Sequence, residues 1–319
     1  MGVVGESGCG KSVTSLSLMQ LLQRPQGQIV QGEIRLNLGN GKAYDVAKTP
    51  GTVMQHLRGN YISMIFQEPM TSLNPVFRIG AQIDEVIALH DGEGKSKEDI
   101  KKRTVEMLEM VGIANSQGVY EMYPHELSGG MRQRVMIAMA LACNPKVIIA
   151  DEPTTALDVT IQSKILDLIK QIQQKMHLSV IYITHDLGVV AKVADYVNVM
   201  YAGKIVEVGN VEEIFYEPCH PYTWGLLSAM PDLETADDRL YSIPGSPPNL
   251  LHEPVGDAFA ARNRFAMVID KKAEPPLFKV SETHYAATWL LHPDAPAFEM
   301  PKELKERLER AKKEAAKYL

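Results

Sequence analysis

The sequence lacks the features that mark a secreted or membrane-spanning chain. It contains only three cysteines, Cys9, Cys143 and Cys219, which are widely separated and form no CxxC pair. Such sparse cysteines suit free thiols in a reducing cytoplasm. No apolar run approaches the roughly 20 residues that a membrane-spanning helix needs, and no charged-then-apolar leader directs export. We therefore expect a protein that would serve a membrane only from its cytoplasmic side, through partners.

The chain also lacks an excess of positive charge. Its net charge of −6 at pH 7 argues against a general nucleic-acid binder. Hydrophobic residues make up 45% and charged residues 23%, as in ordinary globular proteins. A length of 319 residues allows one large or two ordinary domains.

The segment GESGCGKS at residues 5–12 indicates a nucleotide site. It fits G-x-x-x-x-G-K-[ST], a loop whose backbone N–H groups surround phosphates. Val3 and Val4 resemble the end of a buried strand, and residues 13–22 have helical apolar spacing. The loop would therefore lie between a strand and a helix whose N-terminus adds partial positive charge. A chance glycine-rich turn is the alternative.

Single residues of this loop have predicted roles. Lys11 would reach the β- and γ-phosphates of the nucleotide, and the Ser12 hydroxyl would bind Mg²⁺. Cys9 occupies a free position of the loop and needs no chemical role. The predicted nucleotide-binding residues are Gly5, Glu6, Ser7, Gly8, Cys9, Gly10, Lys11, Ser12 and Val13.

Four polar residues directly follow predicted apolar strands. Asp151 would hold Mg²⁺ through water, and Glu152 beside it would orient and polarise an attacking water, because in-line phosphoryl transfer is mostly positioning and charge stabilisation. His185 would contact the γ-phosphate, and Gln67 would sense Mg²⁺ and the water. Taken singly, a histidine after an apolar strand is more often structural, and a lone glutamine means little.

Strand patterns alternate with helical patterns, which is typical of an α/β fold with a mainly parallel sheet. A hairpin is predicted around the turn at residues 39–41, and a helical pattern over 79–142 indicates a subdomain inserted into the core. From Pro218 prolines crowd into short irregular pieces, and residues 301–319 predict a charged, solvated terminal helix. The predicted strands are 62–66, 147–150, 180–183 and 196–200.

Residues 127–134 read LSGGMRQR and predict a second anion site. A Ser-Gly-Gly that opens a helix offers exposed amides and the helix dipole, with no lysine of its own. Two phosphate-recognising elements of different design in one chain are explained if two chains meet head to tail. Each chain then closes the nucleotide site of the other.

With these motifs the chain resembles the ATP-binding cassette (ABC) ATPases over roughly residues 1–215. The motifs that carry the resemblance follow the family's order: GESGCGKS, Gln67, LSGGMRQR, VIIADE, TALD at 155–158 and THD at 184–186. The resemblance implies a P-loop NTPase fold with a RecA-like core. The implied domains are the core at 1–78 and 143–215 with N-terminal strands missing, a helical subdomain at 79–142, an extension at 216–300 and the terminal helix at 301–319.

The resemblance also implies a role for each motif residue. Gln67 couples the nucleotide state to a membrane partner, His185 is the switch histidine, and Glu152 makes the site able to hydrolyse ATP. The implied Mg²⁺ ligands, partly through water, are Ser12, Gln67 and Asp151. The residues implied to act in trans or at the dimer interface are Ser128, Gly129, Gly130 and Asp158.

Three stretches, residues 67–75, 123–127 and 216–223, resemble an importer subfamily for oligopeptides, dipeptides and nickel, and most narrowly the D-type ATPase of oligopeptide permeases. The resemblance implies ATP and Mg²⁺ as cofactors and a peripheral location on the cytoplasmic face of the membrane. The implied partners are a second ABC ATPase, expected to be a paralogue, two transmembrane permeases and an extracellular peptide-binding protein, with no nucleic acid.

Other functions stay open beside oligopeptide import. Import of dipeptides or nickel would use the same motor. A soluble cassette ATPase acting on DNA or ribosomes usually has a long coiled-coil insertion or two cassettes, and neither is present. A regulatory, non-catalytic cassette is disfavoured because Lys11, Asp151, Glu152 and His185 are intact.

The extension departs from the family in one respect. Many relatives carry four cysteines there that suit an iron–sulfur cluster, and the corresponding positions are Asp257, Asn263, Asp270 and Thr288. None of them is a thiolate, the ligand that such clusters require. We therefore predict no cluster and expect packing to hold the segment. The candidate packing residues are Phe259, Phe265, Phe278 and Trp289.

The start of the chain is a second departure. Only Met1 to Val4 precede the loop, whereas relatives have some tens of residues there, including an aromatic that stacks on adenine. Such a contact contributes on the order of 1–3 kcal/mol. We expect a truncated or misassigned start, weaker ATP binding and an exposed sheet edge.

Overall fold

A computed structural model describes residues 1–39, 41–67, 72–155, 157–230 and 242–315. Some predicted features lie outside the described residues: Asn40 of the hairpin turn, residues 68–71 of the stretch 67–75, Ala156 of the TALD motif and residues 316–319 of the terminal helix. The chain forms two compact units, one of Met1–Lys11 with Thr184–Leu319 and one of Ser12–Ile183. The predicted domain bounds stay a prediction.

Three parallel strands form the centre of the unit Ser12–Ile183, in the order β4-β5-β6. The middle strand is buried from Ile148 to Asp151. A parallel strand covered on both faces needs this unbroken apolar sequence. The unit also contains an antiparallel hairpin, β2-β3, which confirms the predicted one. The strands are β2 (Arg35–Asn37), β3 (Ala43–Asp45), β4 (Ile62–Ile65), β5 (Val147–Asp151) and β6 (Ser179–Thr184).

Helices follow the predicted pattern over residues 79–142. Ser96 begins one of them with a capping box, in which its hydroxyl accepts from the Asp99 N–H and the Asp99 carboxylate accepts from the Ser96 N–H. The helices around these strands are α1 (Lys11–Leu18), α2 (Gly51–Asn60), α3 (Ile79–Asp91), α4 (Lys97–Met110), α5 (Ser116–Glu121), α6 (Gly129–Leu141) and α7 (Val159–Met176).

The helix after the predicted phosphate loop is shorter than its apolar spacing predicts. It ends at Leu18 rather than continuing over residues 19–22. Gln20 has a left-handed backbone conformation with φ of +48°, which an α-helix cannot accommodate. The Gln20 side chain donates to the carbonyl of Thr49 at 2.8 Å. The Gln20 N–H donates to the Ser17 carbonyl at 3.0 Å and the Leu21 N–H donates to the Leu16 carbonyl at 2.7 Å. These local bonds cap the helix at its C-terminus, and the contact with Thr49 holds the Gln20 side chain.

In the second unit the neighbouring strands follow the order β1-β7-β8-β10-β9. β1 pairs parallel with β7, and the remaining pairs are antiparallel. Its strands are β1 (Gly2–Val4), β7 (Tyr196–Tyr201), β8 (Lys204–Asn210), β9 (Phe278–Lys279) and β10 (Tyr285–Ala286). Its helices are α8 (Leu187–Val193), α9 (Val211–Tyr216), α10 (Pro221–Ser228) and α11 (Lys302–Ala315).

Aromatic packing holds the irregular segment that follows α10, as predicted. Phe259 is buried against Tyr201 and Tyr222 at ring-centroid distances of 5.2 and 5.3 Å. Phe278 meets Trp289 edge to face at 6.0 Å. Such pairs contribute beyond the area that they bury, by roughly 0.5–1.5 kcal/mol each.

The terminal helix is not simply solvated, and that expectation was wrong. Leu304 and Leu308, one turn apart, are buried in the core cluster that includes Ile214 and Trp224. Arg307 between them donates to the carbonyl of Met230 at 3.0 Å. The thin apolar stripe is therefore a packing face. Among the described residues no helix is long and apolar enough to cross a membrane.

A buried carboxylate joins β8 to the segments that follow it. Glu207 is fully buried, and its Oε1 accepts from the Cys219 N–H at 2.6 Å and lies 2.8 Å from His284 Nε2. Its Oε2 accepts from the His220 N–H at 3.1 Å. Both carboxylate oxygens thus have partners, which offsets the cost of burying the charge.

Replacing Glu207 by glutamine should destabilise this unit by about 3 kcal/mol, because an amide NH₂ would face backbone donors inside the core. Both tryptophans of the chain, Trp224 and Trp289, lie in this unit. Tryptophan fluorescence during guanidinium unfolding therefore measures the effect. The exposed Glu253, changed to glutamine, is the control. Equal unfolding midpoints for the two variants would contradict the assigned role.

Candidate functional site

The segment from Gly5 to Gly10 is a loop between β1 and α1, as predicted. Gly8 and Gly10 have φ of +80° and +103°, a backbone region that glycine enters without strain. At Gly5 a Cβ would stand 2.1 Å from the carbonyl oxygen of Met200. The Gly203 N–H donates to the Cys9 carbonyl at 2.8 Å. The glycines are thus required by turns and close packing, and Ser7 and Gly8 are exposed to solvent.

Lys11 lies beneath this loop rather than in solvent. It is buried, and its ammonium donates to the carbonyls of Gly5 at 2.7 Å and Glu6 at 3.0 Å. Cys9 is buried beside it, and burial raises the pKa of the Cys9 thiol while the nearby Lys11 charge opposes the shift. A neutral thiol fits the interpretation that Cys9 has no chemical role. The Lys11 ammonium is therefore bound by carbonyl groups of the loop itself.

Two residues that sequence reasoning missed hold Glu6 in place. Arg262 forms a two-pronged ion pair with the Glu6 carboxylate at 2.5 and 3.0 Å. The Tyr222 hydroxyl accepts from the Glu6 N–H at 2.8 Å. Both lie more than 200 positions along the chain from Glu6, so no local pattern predicts these contacts.

In the unit Ser12–Ile183, Ser12 lies beside Asp151. The Ser12 hydroxyl donates to Asp151 Oδ1 at 3.3 Å, and the buried Ser15 hydroxyl donates to Oδ2 at 2.9 Å. Ser15 was also missed. Its signal was available, because a residue three positions after Ser12 lies on the same face of a helix. The next predicted residue, Val13, is exposed on α1.

Glu152 and Gln67 are brought together in the same unit. The Gln67 amide donates to Glu152 Oε2 at 3.0 Å, and the Thr155 hydroxyl donates to the same oxygen at 2.9 Å. Glu152 has φ of +45°, which is rare for a residue with a side chain and concentrates at functional sites. The Glu152 N–H donates to the Ile183 carbonyl at 2.8 Å, which holds the strained backbone.

The signature segment opens a helix as predicted. Ser128 caps α6 by accepting from the Met131 N–H at 3.3 Å, and Gly129 and Gly130 form the first turn. A Cβ at Gly130 would press on Ile161 at 3.0 Å. Asp158 is exposed and caps α7 by accepting from the Ile161 N–H at 3.0 Å. These caps explain the residue types locally, and action in trans stays a prediction.

His185 is exposed in the turn between β6 and α8. The following Asp186 caps α8, accepting from the Gly188 N–H at 2.8 Å, while its own N–H is held by the Thr184 hydroxyl at 3.0 Å. These contacts fix the turn and present His185 to solvent. Its role as a switch stays a prediction.

The four positions at which the family resemblance implied cluster cysteines share one geometry. All four are buried, and each side chain accepts a hydrogen bond from a backbone N–H two or three residues away. The donors to Asp257, Asn263, Asp270 and Thr288 are the N–H groups of Phe259, Phe265, Met267 and Leu290, at 2.9, 2.9, 2.6 and 3.3 Å respectively. Oxygen acceptors that close turns do not fit a cluster held by cysteine sulfur.

Burial raises the pKa of Asp257 to about 6, with smaller contributions from Asp270 and Glu274. Burial also raises the pKa of Asp270. Because the folded pKa of Asp257 exceeds its unfolded value, the folded state binds this proton more tightly. Its contribution to stability is complete below about pH 4 and is lost as the pH rises through about 6.

The variant Asp257→Asn should keep an oxygen that accepts from the Phe259 N–H. It should remove the loss of stability that follows from ionising Asp257 at higher pH. We expect it to be more stable than the natural chain at pH 7.5, by about 2 kcal/mol, with the difference shrinking towards pH 4.5. Guanidinium unfolding followed by tryptophan fluorescence checks this. The exposed Asp294, changed to asparagine, is the control. A stability difference independent of pH would contradict the prediction.

Comparison with known proteins adds to this geometry. A family model described as "ABC transporter" matches residues 1–155, and one described as "Oligopeptide/dipeptide transporter, C-terminal region" matches residues 206–269. The oligopeptide transport ATP-binding protein OppD of Bacillus subtilis is 58% identical over 97% of this chain and 84% of its own length. The dipeptide transport ATP-binding protein DppD of Lactococcus lactis is 54% identical over 93% and 83%.

Solved structures agree on the fold. A dimeric ATP-binding cassette in a post-hydrolysis state with ADP and Pi matches with a TM-score of 0.56 at 26% identity, over 66% of this chain and 84% of that one. The protein cbiO1 of Clostridium perfringens, part of an ABC transporter complex, matches with a TM-score of 0.54 at 27% identity, over 68% and 78%. These likenesses confirm the predicted P-loop NTPase fold class.

Proposed function

The chain belongs to the ABC transporter family, in its group of oligopeptide and dipeptide transport ATP-binding subunits, and we propose that it hydrolyses ATP to drive oligopeptide uptake. One observation carries the catalytic part of this proposal: Glu152 is held at a strained backbone angle with Gln67 and Thr155 on its carboxylate. Such strain persists only where surrounding structure enforces it, and it concentrates at functional sites.

In this proposal the loop from Gly5 to Ser12 binds the triphosphate of ATP. The backbone N–H groups of the exposed Ser7 and Gly8 and the N-terminus of α1 would attract the phosphates. Lys11 exchanges the carbonyls of Gly5 and Glu6 for phosphate oxygens, because an ammonium forms stronger hydrogen bonds with an anion than with a neutral carbonyl. The positive φ values of Gly8 and Gly10 keep the loop open to the phosphates.

Two neighbouring residues of the unit Ser12–Ile183 fit Mg²⁺. Ser12 and Asp151 offer hydroxyl and carboxylate oxygens 3.3 Å apart, and Mg²⁺ prefers such oxygen ligands. Ser12, Asp151 and Gln67 would hold the ion, which neutralises phosphate charge when it is bound. Ser15 fixes the second oxygen of Asp151, so that one carboxylate oxygen stays turned towards Ser12.

Glu152 would orient the attacking water and accept its proton. The carboxylate sits in a defined position because two donors share its Oε2. Gln67 would link this carboxylate to the membrane partner. His185 would contact the γ-phosphate, and Ser128, Gly129, Gly130 and Asp158 would complete the site of a second ATPase subunit in a head-to-tail dimer.

The proposed assembly has two different ATPase subunits, two transmembrane permeases and an extracellular peptide-binding protein. The chain would lie at the cytoplasmic face of the membrane and bind no nucleic acid. Names of the matched relatives support peptide transport, and both oligopeptide and dipeptide proteins are among them. Dipeptide import is therefore the second candidate.

The variant Glu152→Gln should reduce the kcat of ATP hydrolysis at least about 100-fold, the usual loss when a general base is removed. ATP binding should persist, because the loop is unchanged, and ATP should trap a closed ATPase dimer. Phosphate release and size-exclusion chromatography of the purified transporter measure these effects. The exposed Glu33, changed to glutamine, is the control. Undiminished hydrolysis would remove Glu152 from its assigned role.

Transport itself needs a separate test. Cells that carry Glu152→Gln as their only copy should lose uptake of labelled oligopeptides while nickel uptake is unchanged. Purification of the tagged chain from its own membranes, with mass spectrometry of the associated chains, should recover permeases and a second ATPase. Loss of nickel uptake instead, or recovery with ribosomes, would overturn the proposed substrate or the transport role.

A further inference from the structure

Glu6 places a negative charge inside a loop that is proposed to bind a polyanion. It directly follows Gly5, and its side chain is 28% exposed. A carboxylate next to bound phosphates raises the free energy of the complex, and the repulsion grows as the local dielectric constant falls. The loop can combine Glu6 with anion binding only if a cation lies close to that carboxylate.

Arg262 supplies this cation from the irregular segment after α10. Its side chain is 5% exposed, and its Nη1 and Nη2 donate to Oε2 and Oε1 of Glu6 at 2.5 and 3.0 Å. A planar guanidinium matches both oxygens of a carboxylate, which a lysine ammonium cannot do. The pairing therefore neutralises Glu6 and also fixes the direction of its side chain.

Further contacts hold Arg262 in this position. Its Nε donates to the Pro244 carbonyl at 2.9 Å, and Nη2 lies 3.4 Å from the Ile243 carbonyl oxygen. The guanidinium also lies over the Tyr201 ring, 5.7 Å from its centroid. These contacts hold the Arg262 guanidinium against Glu6 before ATP binds. Binding of ATP would therefore cost little side-chain entropy of Arg262.

The backbone of Glu6 is held as well as its side chain. The Tyr222 hydroxyl accepts from the Glu6 N–H at 2.8 Å, and Tyr222 is itself buried against Phe259. Glu6 is therefore held by its main chain and by its side chain. Both holds come from residues after position 220, outside the sequence motifs of the loop.

We propose that Arg262 is a positioning residue for ATP binding, which neutralises Glu6 and holds the phosphate loop so that its N–H groups and Lys11 meet the triphosphate without a competing negative charge. The inference rests on the proposed function, in which this loop binds ATP. It gives the C-terminal segment a direct part in nucleotide affinity.

The test compares four variants of the full chain in its purified transporter: Arg262→Met, Arg262→Lys, Glu6→Gln and the double variant Glu6→Gln/Arg262→Met. Lys279→Met is the matched control, because Lys279 lies in the same C-terminal region and pairs with the exposed Glu282. The measured quantities are KM and kcat of ATP hydrolysis, and the Kd of ATP in the Glu152→Gln background, where turnover is blocked.

Arg262→Met should raise KM and Kd for ATP roughly tenfold, with kcat within about twofold, because an unpaired Glu6 carboxylate opposes the phosphates. The KM and Kd of Arg262→Lys should lie between those of the natural chain and Arg262→Met, since lysine keeps the charge but not the two-pronged geometry. The double variant should recover much of the affinity lost in Arg262→Met, because the repelling charge is gone. Lys279→Met should match the natural chain.

A merely structural role gives different results. In that case the double variant binds ATP no better than Arg262→Met, which overturns the inference, as does an unchanged KM in Arg262→Met. Tryptophan fluorescence shows whether each variant is folded, and if Arg262→Met unfolds, Arg262→Lys against Lys279→Met still decides the question. A natural chain that binds no ATP would overturn the proposed function itself, independently of any Arg262 variant.

Discussion

Backbone N–H groups that must face an anion cannot be paired within a helix or sheet, and this constraint shapes the segment from Gly5 to Ser12. The loop has to be open, yet fixed. Glycines at positive φ give the open path, and Lys11 at the centre satisfies the carbonyls that point inward. Contacts with residues after position 200 fix this shape, while Ser7 and Gly8 stay exposed to solvent.

Hydrogen bonds from distant parts of the sequence fix single atoms of the predicted site residues. Gly203 donates to the Cys9 carbonyl, and Tyr222 accepts the Glu6 N–H. Ser15 holds the far oxygen of Asp151, which leaves the other oxygen turned to Ser12. A similar division holds at Glu152, where Gln67 and Thr155 share one oxygen. Asp151 and Glu152 are thus each positioned by hydrogen bonds from neighbouring side chains.

In the C-terminal segment, buried polar side chains help to hold irregular chain together. Asp257, Asn263, Asp270 and Thr288 each close a turn by accepting a backbone N–H inside the core. Buried acceptors of this kind stabilise a turn without a covalent bond, but ionisable ones respond to pH. The raised pKa of Asp257 follows from that burial. Stability of the segment and charge in its core are therefore linked.

The sequence by itself determined the family, the fold class and the central strands at 62–66, 147–150, 180–183 and 196–200, because these depend on motif spacing and on unbroken apolar runs. It gave no sign of β8, β9 and β10. It did not determine where α1 ends, because the apolar spacing does not reveal the left-handed conformation of Gln20 or the side-chain contact of Gln20 with Thr49. It also concealed the packing of Leu304 and Leu308, whose stripe is as thin as that of a solvated helix. Only the tertiary structure brought Arg262 to Glu6, because a charge pair between residues 256 positions apart leaves no periodic trace in the sequence.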